Sequence, residues 1–178
     1  TIIKIKIFKV MNKQLFSIKA LENAYTQEIN SRNILIYINP QDFLRVAMSG
    51  HSEEKSNHVK NLVINDVQFN EIPFLNFVHD GEGTARVTGH EGRHRAKVLI
   101  ELGIDEMPVI LRHVYDENGQ AMVWNKMNTT DNQFYDMWPE RLYGERGSSE
   151  ETNKHSKNYI DFPIKDLRLK LTTSIKLK

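Results

Sequence analysis

The chain has 178 residues, enough for one domain with a proper core and an appended segment. Its formal net charge of +1 supplies no global steering toward nucleic acid, so any such contact must rest on local patches. The absence of cysteine excludes a disulfide framework, a thiol nucleophile and a thiolate metal site.

The first residues alternate, Ile3, Ile5 and Ile7 against Lys4 and Lys6, as in a strand with a basic face. Ser17 to Asn30 suits a helix with Ser17 as N-cap and Ile18, Leu21, Ala24, Tyr25 and Ile29 on its apolar face. Ile34 to Ile38 is the next apolar strand. Asn39-Pro40 opens a short helix carrying Phe43, Leu44 and Ala47, with proline in its first turn. After Gly50, Ser52 caps a helix running to about Val63, with Glu53 and Glu54 in its first turn. His51 and Lys55 stand at its start; they are candidate ligand contacts, although a solvated charged face explains them more simply.

Pro73 to His79 reads as a strand, and Asp80-Gly81-Glu82-Gly83 as the turn joining it to a second strand, Thr84 to Thr88. Gly89-His90-Glu91-Gly92-Arg93-His94-Arg95-Ala96 follows, the richest chemistry in the chain. A helix from about Gly92 buries Ala96, Leu99 and Ile100, with Val98 and Leu102 as further core positions, and Gly103 stands where a helix C-terminal glycine belongs. Pro108 to Leu111 resumes as a buried strand.

Two chemistries compete for the octapeptide. His90-Glu91-Gly92-Arg93-His94 satisfies the H-E-x-x-H zinc pattern, which requires one continuous helix to place both histidines on one metal. Gly92 in mid-motif, the strand before it and the charges of Arg93 and Arg95 disfavour that reading. The alternative is a strand-turn-helix phosphate site. The first N–H groups of the helix and the guanidinium forks of Arg93 and Arg95 would bind the anion. Gly89 and Gly92 would let the backbone approach it.

Glu-Gly-Arg-His-Arg-Ala, the following amphipathic helix, Leu-Gly-Ile and Met-Pro-Val-Ile together resemble the ParB/sulfiredoxin superfamily, above all its ParB-like nuclease members. Ile38-Asn39-Pro40-Gln41-Asp42-Phe43-Leu44 is similar to the strand-to-helix entry of that domain. The resemblance covers about residues 33 to 115, with 1 to 32 as an N-terminal extension and 116 to 178 as a C-terminal one. It implies an α+β fold, a mixed sheet with packed helices.

Sulfiredoxin chemistry is excluded, because Arg93 stands where those proteins carry their cysteine. A partition clamp is disfavoured, because Gly92 replaces an arginine of the nucleotide box and no helix-turn-helix follows. What the resemblance implies is a nuclease or a nucleotide-dependent hydrolase or phosphotransferase, of the type found as stand-alone phage and plasmid proteins. In that setting Glu91 and His94 are the candidate catalytic groups. Glu91 would hold a divalent ion or activate the attacking hydroxyl, and His94 would move a proton. Arg93 and Arg95 would bind phosphate, with Gly89, His90 and Gly92 shaping the turn. Mg²⁺ and a nucleoside triphosphate are the expected cofactors, zinc is not, and the expected partner is a nucleotide or nucleic acid. A non-catalytic nucleotide- or DNA-binding accessory module, directed at a host protein, is the alternative.

Beyond Val114 the resemblance fades. Gln120 to Lys126 suits a strand, and 144 to 157 a charged linker. Trp124, Phe134, Tyr135, Trp138 and Tyr143 interleave with Lys126, Arg141 and Arg146. They read as a satellite core, with a clamp for single-stranded nucleic acid as the other reading. Leu167, Leu169 and Leu171 alternate with Arg168 and Lys170 as a basic strand. No membrane-length apolar run or secretory pattern is visible, so the cytoplasm is the expected compartment.

Overall fold

The computed structural model describes residues 15–30, 33–47, 52–79, 84–113, 139–144 and 158–161. Within them the order is α1 (Ile18–Asn30), β1 (Asn33–Ile38), α2 (Pro40–Val46), α3 (Glu53–Ile64), β2 (Phe74–His79), β3 (Thr84–Glu91), α4 (Arg93–Glu101), β4 (Met107–His113), β5 (Arg141–Tyr143) and β6 (Tyr159–Asp161). The class is α+β, as expected. The strands of residues 3–7, 120–126 and 167–171, the turn 80–83, and the linker after Gly144 lie outside the described residues. So do His51, Trp124, Lys126, Phe134, Tyr135, Trp138 and Arg146.

The strands form one mixed sheet in the order β1-β4-β2-β3-β5-β6. β2 runs parallel to β4, and β3 parallel to β5; the other neighbours are antiparallel. Leu75, Phe77, Ala85, Val87, Leu111 and Leu142, from four adjacent strands, share one face and are almost wholly buried. This is the period-2 alternation of a sheet burying one side. α2 and α4 cover that face through Phe43, Val46, Ala96, Val98 and Leu99, all at most 1% exposed. His113 at the end of β4 stacks on Phe77 with ring centroids 5.0 Å apart. The chain before residue 33 joins the same core through Phe16, Ala20 and Ala24, and the chain after 115 joins the same sheet through β5 and β6.

Three helix starts form as their cap residues dictate. Ser17 Oγ accepts from Ala20 N at 3.1 Å, Asn39 Oδ1 from Gln41 N at 2.8 Å, and Ser52 Oγ from Lys55 N at 3.4 Å. Two expected core positions fail: Ile18 is 62% exposed, and Ile100 of α4 is half-buried and lies outside the core cluster that takes Ala96, Val98 and Leu99. Ala20 and Ala24 set the inward side of α1, and a residue two before Ala20 lies roughly 200° around the helix from it. None of the described helices is long and apolar enough to cross a membrane.

Candidate functional site

β3 continues three residues beyond the expected Thr88, so His90 and Glu91 are strand residues rather than turn residues. Its register with β2 shifts between Asn76 and Phe77: Phe77 opposes Val87, whereas Asn76 opposes Gly89. Thr88 is the extra residue of a bulge. That bulge sends His90 to the buried face opposite Leu75, where its ring meets Phe43 of α2 edge-on at 6.4 Å between centroids. Glu91, opposite Phe74, is directed to the other face.

Gly92 then turns the chain with φ of 120°. Only glycine enters that region freely, and a Cβ here would sit 2.5 Å from Pro73 Cβ. Pro73 is itself fixed, because its carbonyl accepts from Ile110 N at 2.8 Å. α4 starts directly after this turn with Gly92 as N-cap, which contributes no side-chain acceptor. Gly103 ends the helix at φ of 73°, as its position in the sequence implies.

The helix required by a His-Glu-x-x-His zinc site does not form. His90 and Glu91 belong to β3, Arg93 and His94 to α4, and the positive-φ Gly92 separates them.

His94 Nε2 accepts a 3.0 Å hydrogen bond from the backbone N–H of Ser52, the N-cap of α3. Towards the other end of the same two helices, Lys60 Nζ pairs with Glu101. The two contacts join the starts and the far halves of α3 and α4, so these helices lie side by side and run the same way. Their positive ends are therefore adjacent. α3 offsets its own end with Glu53 and Glu54, but α4 has no acidic residue in its first turn and presents Arg93 and Arg95 there. Lys55 belongs to the first turn of α3, three residues after Ser52, and so stands near the same pair of helix starts.

Glu91 and Arg95 point into a cleft of about 310 Å³ at the end of the sheet. Its other lining groups include Asn23 of α1, Asn70 and Glu71 from the segment before β2, Phe74, and Arg112 of β4. Arg95 Nη1 donates to the Glu71 carbonyl. Burial pulls the Arg95 pKa down, and the carboxylates of Glu91 and Glu71 oppose that fall. Arg112 lies over the Phe74 ring, its guanidinium carbon 3.9 Å from the centroid, and burial lowers its pKa too. Among the described residues no carboxylate forms a salt bridge with Arg112 or Arg93.

The turn thus divides the expected cluster: Glu91 and Arg95 enter the cleft, while His90 and His94 are directed to the helices. Arg112 and Phe74 were not singled out from sequence. Their signal was faint, an arginine closing an otherwise apolar strand and a phenylalanine opening one.

Comparison with protein-family models, curated proteins and solved structures finds no match to this chain.

Proposed function

We propose that the chain binds a phosphate-bearing ligand, a nucleotide or nucleic-acid strand, at the Glu91-Gly92-Arg93-His94-Arg95 turn and acts on its phosphate. In this reading it is a ParB-like nuclease or nucleotide-dependent hydrolase or phosphotransferase. The observation that carries the reading is the parallel pairing of α3 and α4. Two like dipole ends set side by side, with the cationic Arg93 in the first turn of α4, repel one another, and a bound anion relieves that repulsion. The uncapped N–H groups of α4 supply donors, and Arg93 and Arg95 supply planar forks.

Catalysis is assigned to Glu91, which would take the proton of an attacking hydroxyl or water. Glu91 and Glu71, both lining the cleft, are oxygen donors of the type that hold Mg²⁺ together with substrate phosphates, and the ion would supply charge stabilisation there. A non-catalytic binding module is the second reading, favoured by the engagement of His94 Nε2 with Ser52, which leaves that nitrogen committed to structure.

The test is thermal unfolding of wild type, Arg93→Ala and Arg95→Ala against ATP, CTP, GTP and UTP, with and without Mg²⁺. A ligand at about a hundred times its dissociation constant stabilises by about 2.7 kcal/mol. A shift present in wild type and absent from both variants supports the turn as the site. The absence of a shift with every ligand, oligonucleotides included, sinks it. Glu91→Gln separates the two readings: it keeps binding and loses turnover if Glu91 is catalytic.

A further inference from the structure

The sheet has a second face, and only part of it is covered by the described helices. α1 lies over β1, and its Ala20 meets the cleft beside Ile110 of β4. The remainder, across β4, β2, β3, β5 and β6, carries a diagonal of arginine–aromatic pairs. The first is Arg112 on Phe74, already at the cleft. The second is Arg86 of β3, its guanidinium carbon 5.5 Å from the centroid of Tyr143 on β5. The third is Arg141 of β5, 4.1 Å from the centroid of Tyr159 on β6.

Strand pairing puts these side chains on one side. Arg86 is the register partner of Tyr143, and Tyr143 that of Tyr159, while their neighbours Ala85, Leu142 and Ile160 are buried on the opposite side. The rings of Tyr143 and Tyr159 are 5.7 Å apart and tilted by 58°. All six side chains belong to half-buried residues.

Charge decides the occupant. Beyond the cleft, Arg86 and Arg141 stand with one carboxylate, Asp161, which is paired with Arg141 at 2.8 Å; at the cleft end Arg112 and Arg95 stand with Glu91 and Glu71. Arg86 also donates to the Gly144 carbonyl at 3.2 Å, which holds its guanidinium plane in place over the sheet. Fixed, flat cations layered on rings suit a ligand that is both anionic and aromatic at regular intervals. A folded protein surface has no such repeat, and a duplex hides its base faces.

We propose that this face is a stacking platform for single-stranded nucleic acid, whose bases lie on the arginine–aromatic pairs while the strand leads one phosphate into the Glu91–Arg95 turn. The crossing from β4 to β6 spans four strand spacings, about 19 Å. The inference deepens the proposed function by naming its substrate class, and it rests on that reading for the cleft end of the track.

The experiment uses the full chain and fluorescence anisotropy with labelled single-stranded DNA and RNA, an abasic strand of equal length, and a duplex. Single strands are expected to bind tightest, with the abasic strand and the duplex weaker by about tenfold or more. Tyr143→Ala and Tyr159→Ala should each weaken single-strand binding by roughly five- to a hundredfold, the range for removal of one stacked base. Tyr143→Phe and Tyr159→Phe should restore it, which distinguishes stacking from damage to the fold. Equal binding of duplex, abasic and natural strands, or indifference to both tyrosines, overturns the platform. If nucleotides still shift the melting temperature through Arg93 and Arg95 in that case, the phosphate turn stands and only the platform falls. If neither ligand class binds, both fall.

Discussion

His94 Nε2 and the backbone N–H of Ser52 are joined at 3.0 Å across 42 residues of sequence. This bond fastens the start of α4 to the cap of α3 and fixes the spacing of two positive helix ends. Replacing His94 by Ala leaves a part-buried N–H unsatisfied, and the expected loss is about 1–3 kcal/mol in urea unfolding. A loss within error of zero would mean that the bond does not hold the two helix starts together.

Two glycines with positive φ make a paired comparison. Gly103→Ala meets open space and should cost only the left-handed backbone penalty, about 1–2 kcal/mol. Gly92→Ala adds a collision with Pro73 to a similar backbone penalty and should cost clearly more. Equal midpoints in denaturant for the two variants would contradict the tight seat of the turn.

Salt should report how many phosphates the site neutralises. For a single strand, each neutralised phosphate adds about 0.7 to the steepness of log affinity against log salt. Arg93→Gln and Arg95→Gln are each expected to lower the slope by that amount in anisotropy titrations. Glu91→Gln should not lower it. An unchanged slope in both arginine variants would remove them from the phosphate site.

The core should respond according to burial. Leu75→Ala, in a central strand and fully hidden, is expected to lose about 2–5 kcal/mol. Val67→Ala, at 48% exposure, should stay within about 0.5 kcal/mol of wild type. Similar midpoints for the two would deny that this face of β2 is the packed centre.

Local chemistry made much of this molecule legible. Asn39-Pro40, Ser52 and Gly103 announce their helix ends because capping and left-handed backbone are decided within a few residues. Runs of apolar residues revealed β1 and β4 for the same reason. The octapeptide was visible as a cluster, yet its division between two faces was not, since nothing in His90-Glu91 shows that Thr88 bulges. Arg112 and Phe74 come from strands that are neighbours only in space, and periodicity names faces without naming partners. The common direction of α3 and α4 escaped for that reason too: it depends on where Ser52 and Lys60 land, not on either helix alone. Ile18 was misplaced because one outward apolar residue near a helix start carries little weight in an apolar count.

The bulge at Thr88 acts as a parity switch. In an unbroken strand the side following Val87 would alternate so that His90 faced outward and Glu91 was forced inward against Phe43 and Leu75. One residue of slack reverses that assignment, giving the imidazole to the helices and the carboxylate to the cleft. Strict alternation through Thr88 would therefore exchange the two, burying an acid and turning the site inside out while the motif itself stayed readable in the sequence; deleting Thr88 would straighten the strand and keep both assignments.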